Sequence, residues 1–114
     1  MRIAIDAMGG DHAPDEIVKG TFDAAHLIPE ATLFLIGQKD RIEKIAATLG
    51  GFPKNVKMIH ATQVVEMDEE PAKALRSKED SSLRVGLRMV KRGEADAVIS
   101  AGNTGALVGG AIVP

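Results

Sequence analysis

A short strand that runs straight into a glycine-rich polar loop and then a helix limits what this chain can become. Arg2-Ile3-Ala4-Ile5 is an apolar run with two β-branched residues, and it gives way at once to Asp6-Ala7-Met8-Gly9-Gly10-Asp11-His12-Ala13-Pro14. That order predicts a buried strand whose end carries the polar residues, the place where α/β proteins gather their ligands. Gly9 and Gly10 allow φ > 0 and a close approach of backbone to a bound group, while Asp6, Asp11 and His12 bring carboxylate and imidazole chemistry to the same loop. Asp11, or Ala13 with Pro14, reads as the start of a helix whose exposed N–H groups would face the same crevice. The same residues also fit a plain tight turn, a capping aspartate and a structural histidine.

Strand and helix then alternate. From Pro14 to about Ile28, the residues Ile17, Val18, Phe22, Ala25 and Ile28 form a helical stripe that Pro29 stops. Thr32-Leu33-Phe34-Leu35-Ile36 is a near-continuous apolar run ended by Gly37, as expected of a strand buried on both faces. Gln38 to Leu49 places Ile42, Ile45, Ala46 and Leu49 on one face, and Gly50-Gly51 closes that helix. Val56-Lys57-Met58-Ile59-His60 follows as a third strand after the Pro53 turn. The expected architecture is a parallel sheet built from right-handed βαβ units.

Glu66 to Arg84 is dense in mixed charge, the usual mark of a solvated face. Within it, Asp68 is the expected cap of a short helix carrying Pro71 in its first turn, and Asp80, Ser81 or Ser82 the cap of a helix with Leu83, Leu87 and Val90 on one side. Arg76, Lys78 and the hydroxyls of Ser81 and Ser82 are a weaker anion-binding candidate. Ala95 to Ser100 reads as a fourth strand, followed by Ala101-Gly102-Asn103-Thr104-Gly105-Ala106-Leu107. This second loop has the outline of an anion cup: backbone N–H groups of Thr104 and Gly105, with the Ser100 and Thr104 hydroxyls and the Asn103 amide completing the donors. It equally fits a capped helix packed closely on a sheet. It lacks the lysine of a P-loop and the GxGxxG spacing of a dinucleotide fold.

Composition excludes several functions. The chain has 114 residues, 45% apolar and 26% charged, with a net charge of -2, so one ordinary core is expected and nucleic acid or anionic lipid has no general pull on it. Three phenylalanines, no tyrosine and no tryptophan leave no base-stacking platform, and nucleic acid is set aside. Zero cysteines remove disulfides, thiolate nucleophiles and cysteine-based metal sites. No secretory leader and no membrane-length apolar run is seen, so a cytoplasmic protein is expected. A divalent metal on Asp6, Asp11 and His12 is poorly supported, because the three ligands would come from one short loop; no metal or cofactor is expected. Residues 1–114 are expected to form a single α/β domain, the N-terminal part of a longer enzyme, since Leu107 to Val113 reads as a helix whose packing partner is still to come.

Together, the segments Arg2 to Pro14, Lys78-Glu79-Asp80-Ser81-Ser82 and Ser100 to Leu107 resemble the signature segments of the phosphate acyltransferase family PlsX, in the same order along the chain. The family often has two basic residues before the aspartate, where this chain has Lys78-Glu79. The resemblance implies a Rossmann-like three-layer α/β/α fold, similar to that of phosphotransacetylases and isocitrate-type dehydrogenases. It also implies a bacterial cytoplasmic homodimer that converts an acyl carrier protein thioester and inorganic phosphate to acyl phosphate and free carrier. The product would pass to a membrane glycerol-3-phosphate acyltransferase, with peripheral membrane association.

Such a reaction needs no protein nucleophile, because the phosphate oxygen is the nucleophile; the protein's tasks are positioning and charge stabilisation. On this reading Asn103, Thr104 and Gly105 hold phosphate, and Gly9 and Gly10 give close backbone approach. Asp6, Ser81, Ser82, Ser100 and Gly102 complete the substrate site. Asp11, His12 and Asn103 are the catalytic candidates, the first two for orientation or proton handling. Two alternatives come from other classes. One is a non-catalytic anion-binding or scaffolding domain; the other is a dehydrogenase of the isocitrate-type fold, for which no acidic ribose-binding residue stands at the expected spacing.

Overall fold

The computed structural model describes residues 1–64 and 69–102. Its elements are β1 (Arg2–Asp6), α1 (Asp15–Leu27), β2 (Thr32–Gly37), α2 (Lys39–Thr48), β3 (Val56–His60), α3 (Pro71–Ser77), α4 (Ser82–Lys91) and β4 (Ala97–Ile99). The four strands form one parallel sheet in the order β3-β2-β1-β4, a Rossmann-like α/β arrangement. In register, Ile5 lies between Leu35 on one side and Ile99 on the other.

Side chains alternate across a strand, and both faces of this sheet are covered. Ile5, Leu33, Leu35 and Val56 pack under α1 and α2 against Val18, Phe22, Ala25, Ile42 and Ala46. On the opposite face Ala4 and Ile36 pack with Met89 of α4, and Ala95 closes the cluster. Asp6 has the same parity as Ala4, so it belongs to the α4 face. At Gly86 the helix comes so near the sheet that a Cβ there would lie 3.0 Å from Val98 Cγ2. This close packing sets the start of α4 beside the end of β1.

The element ends differ from expectation for identifiable reasons. Asp11 does not cap α1: the helix begins after Pro14 with no side-chain cap, and the carbonyl of His12 takes the first-turn N–H of Glu16. Asp15 and Glu16 complement the helix dipole instead. The cap of α3 is Glu70 rather than Asp68; its carboxylate accepts from Ala72 N at 3.3 Å and Lys73 N at 2.7 Å. Of the three cap candidates for α4, Ser81 serves, accepting from Arg84 N at 3.1 Å. β4 is shorter than Ala95 to Ser100 because Asp96 is spent on Arg2, whose backbone N–H it accepts at 2.8 Å. The helix expected after Gly105 lies outside the described residues.

Leu35 is fully buried in the layer between β1 and β3. Leu35→Ala is therefore expected to cost about 2–5 kcal/mol, read as a lower urea midpoint at unchanged slope.

Candidate active site

The chain runs from β1 outward to β2 and β3 and then returns to β4 on the other side of β1. The loops after β1 and β4 therefore leave the sheet side by side at its carboxyl edge, which is the switch point where open α/β sheets bind ligands.

Asp6 ends β1 and is only 4% exposed. Its Oδ1 accepts from Ser82 Oγ at 2.5 Å and from Met8 N at 3.0 Å, and its Oδ2 accepts from Ser100 Oγ at 2.8 Å. Ser100 Oγ in turn accepts from Gly102 N at 3.1 Å. One carboxylate thus ties the end of β1, the first residue of α4 and the loop after β4. The cost of burying it is met by charge-assisted bonds on both oxygens.

Glycine is required where these loops touch. A Cβ on Gly9 would stand 2.7 Å from Asp6 Oδ2, 2.8 Å from Ser100 Oγ and 2.9 Å from Gly102 N, and one on Gly102 would stand 3.1 Å from Gly9 Cα. Gly10 follows at φ 94°, a left-handed conformation that turns the loop toward Asp11. The two glycine loops of the sequence therefore meet backbone to backbone.

The structure brings together Asp6, Gly9, Gly10, Ser82, Ser100 and Gly102, with Ser81 one residue away as the helix cap. Asp11 and His12 sit exposed on the same loop, and neither side chain bonds to this network among the described residues. Asn103, Thr104 and Gly105 lie outside the described residues. Among those described, no three His, Asp or Glu side chains are grouped to hold a metal, Asp6, Asp11 and His12 included. Lys78 is occupied elsewhere: its Nζ donates to Val64 O at 2.6 Å and pairs with Glu69.

Sequence reading missed a clip that holds α4 in place. Thr62 gives Asp80 Oδ2 its backbone N–H at 2.9 Å and its hydroxyl at 2.6 Å. Gln63 O accepts from Ser82 N, and Gln63 Oε1 from Asp80 N, both at 3.1 Å. The one available signal was a polar Thr62-Gln63 pair directly after an apolar strand. The Thr62 bonds, with Arg88 as a nearby positive charge, hold the Asp80 carboxyl below its ordinary 3.8.

A concavity of about 280 Å³ lies at the ends of β2 and β3 between Gln38, Lys39, Asp40, Arg41, His60 and Thr62. His60 Nδ1 accepts the Lys39 backbone N–H there at 3.1 Å. Its cations Lys39 and Arg41 lie beside the Asp40 carboxylate.

The sequence profile of the family described as "Fatty acid synthesis protein" matches residues 1–114. The chain belongs to this family. A protein named "Phosphate acyltransferase" from Thermoanaerobacter pseudethanolicus is 48% identical over 113 residues, 99% of this chain and 33% of the relative. One of the same name from Desulfitobacterium hafniense strain DSM 10664 / DCB-2 is 54% identical over 106 residues, 93% of this chain and 31% of its own length. Another from Magnetococcus marinus is 47% identical over 108 residues, covering 95% and 31%. The chain spans about a third of the length of these curated relatives. Their shared name is that of the family whose motifs this sequence resembles. Among the described residues no helix is long and apolar enough to cross a membrane.

Two expectations follow. Gly9→Ala displaces either Asp6 or the loop after β4, and should cost about 1–3 kcal/mol of stability, read as a lower urea midpoint. Asp80 has a depressed folded pKa, so its bonds add stability above pH 3.8 that is lost as pH falls through and below that value. Asp80→Asn should therefore flatten the acid limb of stability against pH, measured as urea midpoints between about pH 5 and pH 2.5.

Proposed function

We propose that this chain forms part of the active site of a phosphate acyltransferase, which converts an acyl carrier protein thioester and inorganic phosphate to acyl phosphate and free carrier protein. The observation that carries this reading is the junction where Gly9 and Gly102 bring the two strand-end loops into contact at the carboxyl edge of the sheet, in a chain 48% identical to a relative named phosphate acyltransferase. The enzyme is read as a cytoplasmic homodimer that meets the membrane peripherally and hands acyl phosphate to a glycerol-3-phosphate acyltransferase. Residues 1–114 are read as the N-terminal α/β part of that longer protein.

In this reaction a phosphate oxygen attacks the thioester carbonyl, the new C–O bond forms and the C–S bond breaks. The carrier thiol leaves with the proton given up by phosphate. A protein nucleophile is not required, and a chain with no cysteine loses nothing. What the protein supplies is fixed donors for the phosphate and for the oxyanion that develops on the carbonyl. Gly10 and Gly102, partly exposed, are read as the backbone that approaches these groups, and Gly9 holds the two loops together. Asn103, Thr104 and Gly105 are assigned to hold phosphate, and Asp11 and His12, exposed beside the junction, to orient it or take its proton.

The direct test is phosphate-dependent formation of acyl phosphate by the full-length protein, trapped with hydroxylamine. No product would sink the enzyme assignment. Asn103→Ala should raise the KM for phosphate roughly 10- to 100-fold, the worth of one charge-assisted hydrogen bond. His12→Ala should lower kcat by roughly 10²-fold or more, and normal turnover would remove His12 from proton handling.

A further inference from the structure

We propose that Asp6 turns the Ser100 hydroxyl into a pure hydrogen-bond acceptor, so that the oxyanion seated against it must carry its own proton, selecting hydrogen phosphate over sulfate. The proposal deepens the acyltransferase reading and rests on it for the identity of the anion.

A serine hydroxyl has one proton and two lone pairs, and a carboxylate only accepts. Ser82 gives its proton to Asp6 Oδ1 and is 1% exposed, so it is sealed behind the site. Ser100 gives its proton to Asp6 Oδ2 and spends one lone pair on Gly102 N–H, which leaves one lone pair. Ser100 is only partly buried and stands at the meeting point of the two loops. Its proton is not free to turn outward, because Asp6 is itself pinned through Met8 N and Ser82 Oγ.

An oxyanion meeting Ser100 therefore meets an acceptor with a negative charge directly behind it. Hydrogen phosphate and hydrogen arsenate answer with an O–H group. Sulfate carries no proton at neutral pH and would press a bare oxygen against the lone pair. A site built to accept a ligand hydroxyl rejects the analogue that lacks it, because its buried polar group is left unpaired. Ser100 is the contact residue in this scheme and Asp6 a positioning residue acting through it.

The experiment is calorimetric titration of the full-length protein with inorganic phosphate, arsenate and sulfate at neutral pH and constant ionic strength. Phosphate and arsenate should bind within several-fold of each other, and sulfate at least roughly 100-fold more weakly, a value modest beside the discrimination known for hydroxyl-reading sites. In Asp6→Asn the amide donates to Ser100 and lets its proton turn to the ligand, so the phosphate-to-sulfate ratio should narrow at least about tenfold. A purely structural loss would weaken all three anions together and leave the ratio unmoved. Ser100→Ala, which keeps Asp6, should narrow the ratio as well and stands in if Asp6→Asn does not fold. Sulfate binding within tenfold of phosphate in the wild type, a ratio unchanged in both variants, or no oxyanion bound at all would each overturn the proposal. Selective phosphate binding without acyl phosphate formation would overturn the enzyme reading and leave this one standing.

Discussion

The meeting of β1, α4 and β4 at the carboxyl edge of this sheet depends on one buried carboxylate being fully satisfied. An ionised group taken out of water costs several kcal/mol unless donors replace its hydration. Asp6 recovers that cost only when Ser82, from 76 residues away, and Ser100, from 94 residues away, both reach it. The bonds are therefore a test of assembly. They can form only after α4 has docked on the sheet and β4 has paired beside β1. Core packing and site geometry are thus coupled: the face that buries Ala4, Ile36 and Met89 is the one that delivers the serines.

The route from sequence to that geometry passes through small residues. Gly86 lets α4 lie against Val98 and Ile36, which sets the depth of its first turn. Gly9 and Gly102 let the two strand-end loops share a space that side chains would fill. The clip between Thr62-Gln63 and Asp80-Ser81-Ser82 then fixes α4 from its other side. Ser81 and Ser82 divide the work, one closing the helix's own first turn and the other turned back to Asp6. The positive end of the α4 dipole faces the Asp6 charge, a favourable arrangement over this short range.

What the sequence disclosed follows the range of the interactions. The stripes of α1 and α2 and the apolar runs of β2 and β3 were legible because burial imposes a period on neighbouring residues. Both glycine loops were legible because a strand followed by glycine and a polar residue is a local pattern. Caps were less so: Asp68 and Glu70 both precede Pro71, and which acid reaches the free N–H groups depends on where the loop enters the helix. Asp11 looked like a cap because the loop carbonyl that replaces it leaves no mark in the sequence. The ties from Asp6 to Ser82 and Ser100 have no local signature at all, so Asp6 could be singled out as a candidate but not assigned its partners.

This arrangement suits a reaction in which the protein provides no nucleophile. Groups that are already oriented stabilise developing charge without having to reorganise, and backbone held at a packed junction is the least free to move. Glycine is usually the flexible residue, yet here it gives rigidity, because Gly9 and Gly102 are glycines in order to be in contact. Asp6 fixes the direction of both hydroxyls that donate to it, those of Ser82 and Ser100.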